Sequence, residues 1–147
     1  MICCAICTVA TLADRIETEH APAWSPYEVG VYLTENTHPD DDVLILGNFC
    51  RPYLEANRST DNKFFYQTPP IDTSDALYDA FVAELERVPS DVIVVPWPHG
   101  DWKEISSRIG DICAMFDAKA AAGEYTHEDH GSFYVYRYKN GKDNNHG

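Results

Sequence analysis

The chain has 147 residues and an apolar fraction of 44%, the size and composition of one globular domain. Its formal net charge of −13, from 24 acidic against 11 basic residues, excludes a basic face for nucleic acid and docking onto anionic lipid head groups. Of its five cysteines, Cys4 and Cys7 form a lone C-x-x-C with no second pair at zinc-ligand spacing, so no metal site is expected.

Met1–Ala13 is almost continuously apolar. It is short of the ~20 residues that cross a bilayer, and it lacks the basic start of a signal peptide. Two readings stay open: an amphipathic helix packed on the domain, or the last turns of a membrane helix. The acidic flank Asp14, Glu17 and Glu19 would place the exit of such a helix on the outer side. Residues 1–20 are therefore set apart from a single α/β domain over 21–138, and the polar residues 139–147 are expected to be disordered.

Ser25-Pro26-Tyr27-Glu28 is a helix start, with Val29, Tyr32 and Leu33 as the stripe to be buried. Asp40-Asp41-Asp42 precedes the next strand at its amino end, which favours a solvated turn over a ligand site. Val43–Leu46, stopped by Gly47, reads as a strand buried on both faces. A short helical stretch around Pro52–Asn57 follows, and Phe64-Phe65-Tyr66 reads as a second strand. Pro69-Pro70 ends that run. Thr73 or Ser74 then caps a helix carrying Leu77, Tyr78, Phe81, Leu85 and Val88 at helical spacing.

Val92–Val95 is the clearest buried strand. Beyond it the Asp101–Glu104 capping box is expected to open a helix running to Ala122, with Gly123 as its stop. The period then changes to two: Glu124–Glu128 and Phe133–Tyr138 flank a turn and form a hairpin. The expected fold class is α/β: a three-layer Rossmann-like sandwich with a mainly parallel sheet and a C-terminal antiparallel hairpin.

Nucleophile, phosphate-loop and dinucleotide motifs are missing from the chain, so no catalytic residue and no cofactor are assigned. His127-Glu128-Asp129-His130 looks metal-like, yet it coincides with the hairpin turn, and strand alternation would send the two histidines to opposite faces. One constellation remains. The carboxyl ends of the first and last buried strands should bring Asn48, Arg51 and Tyr53 near Trp97, His99, Asp101 and Trp102. Two indoles, an imidazole, a guanidinium and a carboxylate could line a shallow crevice for a sugar or another small polar ligand. The plainer reading has both tryptophans packing a helix onto the sheet and His99 in a loop.

These residues carry a resemblance. Glu35–Asn48 reads ENTHPDDDVLILGN; Arg51, Tyr53, Arg58 and Ser59 follow, then Lys63–Gln67 (KFFYQ), an acidic helix and Pro89–Val95 (PSDVIVV). Over most of Ser25–Tyr138 the chain resembles the soluble C-terminal domain of bacterial multi-pass membrane glycosyltransferases of the protein mannosyltransferase and aminoarabinose transferase-like group. The resemblance implies a non-catalytic extracytoplasmic accessory domain that binds or positions a glycan or a polyprenyl-linked sugar. It places the chemistry in a membrane part outside this chain, and Met1–Ala13 would then be the tail of a membrane helix. The competing reading is a free-standing small α/β protein, cytoplasmic, that binds a ligand or has an enzymatic site of unrecognised type.

Overall fold

The computed structural model describes residues 26–97 and 106–139. Met1–Ala13, the Asp101 capping box and the tail beyond Lys139 lie outside them. Val43–Ile45 (β1) and Val92–Val95 (β2) are adjacent parallel strands, with Val43 opposite Val92 and Ile45 opposite Val94. Every residue of both is buried, as continuous β-branched and leucine runs require. The closing hairpin consists of Tyr125–Asp129 (β3) and Tyr134–Tyr138 (β4). β4 lies antiparallel to β2, placing Tyr136 opposite Ile93 and Tyr134 opposite Val95.

Among the described residues the sheet is an open, mixed one of order β1-β2-β4-β3. The expectation of a mainly parallel sheet is corrected: one pairing is parallel and two are antiparallel. The reason lies in β4. Its Tyr134, Val135 and Tyr136 are all fully buried, so both of its faces are covered and it takes the interior position beside β2.

Phe64–Tyr66, expected as a strand, is a turn. The Asn62 side-chain oxygen accepts from the Phe64 amide at 2.9 Å, a local bond that competes with strand pairing. Phe64 alone turns inward, its ring 5.5 Å from that of Phe81. Phe65 and Tyr66 remain 56% and 55% exposed.

With no strand beside it among the described residues, the outer edge of β1 is closed group by group. The Val43 amide donates to the Ser59 carbonyl at 3.0 Å, and the Ile45 amide donates to the Tyr53 hydroxyl oxygen at 2.7 Å. The Gly47 amide donates to the side-chain oxygen of Gln67 at 2.7 Å. The Gln67 amide nitrogen in turn donates to the carbonyls of Ile45 and Phe64. Gln67 is fully buried, which is tolerable because its carboxamide is bonded on both sides.

The helices cover this sheet. Pro26–Asn36 (α1) buries Val29 and Leu33 completely, as the sequence spacing predicts. Arg51–Ala56 (α2) is a single short segment ending at Asn57, which adopts the left-handed conformation at φ 50°. Pro70–Thr73 (α3) leads into Asp75–Arg87 (α4), whose cap is Ser74. Ser107–Ala121 (α5) buries Ile109, Ile112, Cys113 and Phe116. Its cap is Ser106, whose hydroxyl accepts from the Ile109 amide at 3.1 Å, so the helix begins later than the expected Asp101. Gly123 ends it at φ 86°, a conformation that glycine adopts without Cβ strain.

Neighbouring residues of β4 reach opposite sides. The Tyr136 hydroxyl donates to the Asp117 carboxylate of α5 at 2.6 Å, while Arg137 donates to the Asn36 carbonyl of α1 at 2.6 Å. Among the described residues no helix is long and apolar enough to cross a membrane.

Tyr53→Phe should leave the Ile45 amide buried without an acceptor and cost about 1–3 kcal/mol. Phe65→Ser, at an exposed turn, should stay within about 0.5 kcal/mol of the parent. Urea denaturation of the two variants checks both values. Equal losses would mean that Phe65 packs as a strand residue after all.

Candidate functional site

Four of the expected crevice residues are described: Asn48, Arg51, Tyr53 and Trp97. His99, Asp101 and Trp102 lie outside the described residues. At the end of β1 the chain turns sharply through Gly47, at φ 99°. A Cβ there would stand 2.5 Å from the Phe49 ring and 2.9 Å from the Trp97 ring, so only glycine fits under the two aromatics. Phe49 meets Trp97 edge-on at 5.4 Å, and Trp97 keeps only 9% of its surface exposed. The indole therefore closes over the turn, with little face left for a pyranose.

Asn48 follows directly. Its side-chain nitrogen donates to the Thr68 carbonyl. Its side-chain oxygen is buried and has no hydrogen-bond partner among the described residues. A buried carbonyl without a donor costs free energy.

Arg51 and Tyr53 part from this turn. The Arg51 guanidinium is exposed and pairs with Glu55 one helical turn on, at 2.7 Å. The Tyr53 hydroxyl is spent on the edge of β1. Burial pushes its phenol well above the ordinary tyrosine range, the Ile45 amide opposing that rise and nearby Asp42 adding to it. Trp97 thus lies against the Gly47 turn that leads into Asn48, while Arg51 faces solvent and Tyr53 lies beneath the strand edge.

The Tyr53 ring instead helps line an apolar cavity of about 300 Å³, with Cys50, Leu54, Arg58, Ser59, Thr60 and Phe65. Cys50, Tyr53 and Leu54 fall on one side of α2 by the i, i+3, i+4 rule. Leu54 is 80% exposed at the rim. Sequence reasoning missed Leu54 and Phe65. The available signal was a leucine on a short helix whose buried residues are Pro52 and Ala56.

Toward the other edge of the sheet the hairpin is tied to α1. The Tyr32 hydroxyl donates to Glu128 at 2.6 Å, and Arg137 donates to the same carboxylate at 3.0 Å and to the Tyr32 oxygen at 2.9 Å. Burial and the Glu128 charge hold the Tyr32 phenol up at about 12, against the opposing effect of Arg137. Burial alone would raise Glu128, but the Tyr32 hydroxyl, Arg137 and His130 outweigh it and hold the carboxyl below its ordinary value.

The two histidines of the turn do go different ways. The His127 ring sits against Tyr134 and Tyr136, and the His130 ring stacks on Phe133 at 4.8 Å. Among the described residues no group of three or more His, Cys, Asp or Glu side chains could hold a metal ion. Cys113 is a fully buried thiol, and burial pushes it up to about 12 despite a hydrogen bond with Tyr134. Cys50 is an exposed free thiol.

Compared with known proteins, the chain matches no family model, no curated protein and no solved structure.

Because the folded pKa of Glu128 lies below the unfolded one, its stabilisation is complete above the ordinary carboxylate value. It is lost as pH falls through the folded pKa. Glu128→Gln should therefore lose stability near neutral pH and show a shallower decline on acidification, read from urea midpoints between pH 3 and 7 on the order of the carboxylate range. An acid slope identical to the parent's would remove Glu128 from the account. Alkylation followed by peptide mapping should label Cys50 readily and Cys113 only on unfolding; rapid native labelling of Cys113 would contradict its burial.

Proposed function

We propose that the chain is a non-catalytic accessory domain, of the three-layer Rossmann-like kind, on the extracytoplasmic side of a membrane glycosyltransferase, where it positions a polyprenyl-linked sugar. The resemblance over Ser25–Tyr138 supports the family. One observation carries the ligand. Cys50, Tyr53, Leu54 and Phe65 line an open apolar cavity beside α2, and Asn48, whose side-chain oxygen lacks a partner among the described residues, precedes Cys50 by two positions in the chain. The hollow suits the hydrocarbon end of such a molecule, and the turn that precedes α2 would meet its hydroxylated end.

The polar end follows from elementary chemistry. A sugar hydroxyl donates one hydrogen bond, and the Asn48 oxygen accepts one. The apolar end gains free energy in proportion to the area it removes from water, ~25 cal/mol per Å². Neither part is large, so affinity for each fragment alone is expected near a millimolar dissociation constant, about −4 kcal/mol. Such weak binding suits a domain that presents a substrate to a catalytic centre elsewhere.

Amide NMR titration with methyl mannoside and with geranyl phosphate tests both ends separately. The saccharide should perturb Gly47 and Asn48, and the prenyl compound should perturb Cys50, Leu54 and Phe65. Asn48→Ala should abolish the first response and Leu54→Ser the second. Responses that cluster elsewhere, or that survive both substitutions, would overturn the assignment.

A further inference from the structure

The outward face of α1 has no role in the reading above. Tyr27 is 63% exposed there, and an open cleft runs along each side of the helix. One, of about 430 Å³, lies between α1 and the β3–β4 hairpin, with Glu28, Glu35 and Glu128 on its walls. The other, of about 470 Å³, lies between α1 and α2 and is lined by Gly30, Thr34 and Glu55. Tyr27, Val31 and Glu35 belong to both. The result is one apolar ridge of tyrosine and valine with carboxylates on either side.

Among the described residues no lysine or arginine lines either cleft. The nearest cations are already committed, Arg51 to Glu55 and Arg137 to Glu128. Glu35 forms no hydrogen bond or ion pair among the described residues. The face is formed by an eleven-residue helix, about 16 Å long, and among the described residues it is open along its length. That shape suits an extended partner better than an enclosed small molecule. Charge selects among partners: a second copy of this chain, at −13, would be repelled, as would nucleic acid or anionic lipid.

We propose that the outward face of α1 docks a basic amphipathic polypeptide segment. Its apolar residues cover Tyr27 and Val31, and its lysines or arginines meet Glu28 and Glu35. Such a helix-on-groove contact draws its specificity from apolar anchors and its association rate from complementary charge. The surface is separate from the Asn48 and Leu54 site, and the inference stands independently of the saccharide reading.

A synthetic amphipathic peptide of lysine and leucine, and its glutamate-for-lysine counterpart, provide the test by amide NMR titration of the full chain. The lysine peptide should shift Tyr27, Val31 and Glu35, weakening as salt rises, while the glutamate peptide should leave them unmoved. Tyr27→Ala should weaken binding about tenfold and Glu35→Gln about two- to threefold. Both residues are at the surface, so both variants should fold. Leu54→Ser should bind the peptide like the parent. The proposal is overturned if the shifts spread over other acidic surfaces or if Tyr27→Ala binds unchanged. It is equally overturned if sedimentation finds a dimer that Tyr27→Ala dissolves, which would give this face to a second copy.

Discussion

The arrangement depends on how β1 ends the sheet. A strand buried on both faces and paired on one side only leaves a row of amides and carbonyls to satisfy. Here Ser59, Tyr53 and Gln67 take the outward amides of Val43, Ile45 and Gly47 in turn. The donors and acceptors come from three separate places in the 51–67 segment. That segment therefore has to fold back against β1, and its position in turn sets α2, the Asn48 turn and the apolar cavity. A buried carboxamide bonded at both ends does what a neighbouring strand would otherwise do.

Much of the core was legible because it obeys simple periodicities. Val43–Leu46 and Val92–Val95 read as strands buried on both faces, and they pair in parallel. Val29, Leu33, Phe81 and Leu85 fell on helical stripes and are buried. Phe64–Tyr66 misled because three aromatics in a row have the same composition as a short buried strand. What decided its state was Asn62, whose side chain bonds locally, and the long-range demand for Gln67 at the edge of β1. Neither is visible in a hydrophobic pattern. The interior position of β4 was hidden for a related reason: alternation of Tyr134, Val135 and Tyr136 shows no polar face from which an open edge could be told.

The site was legible in location more than in composition. Strand-end geometry led to Gly47, Asn48 and Trp97, and the Trp97 ring lies against the Gly47 turn. It did not foresee that Phe49 would press Trp97 shut, since that contact requires the positive φ of Gly47. Nor did it foresee the hollow beside α2, whose walls come from residues that look like surface leucine and loop phenylalanine. Exposed apolar side chains carry no period, and it is the folded chain that brings Leu54 and Phe65 to one cavity.

The Gln67 contact also bears on how the chain reaches this state. Twenty residues separate it from Gly47, and the loop between them also supplies the partners of Val43 and Ile45. Until that loop closes, a new chain presents Val43–Leu46 as an apolar ribbon with one side of its backbone unmet. Such a ribbon is an invitation to pair with other chains. The acidic run Asp40–Asp42, immediately upstream, then gains a second meaning as a guard, because like charges stacked in register would hold two such ribbons apart.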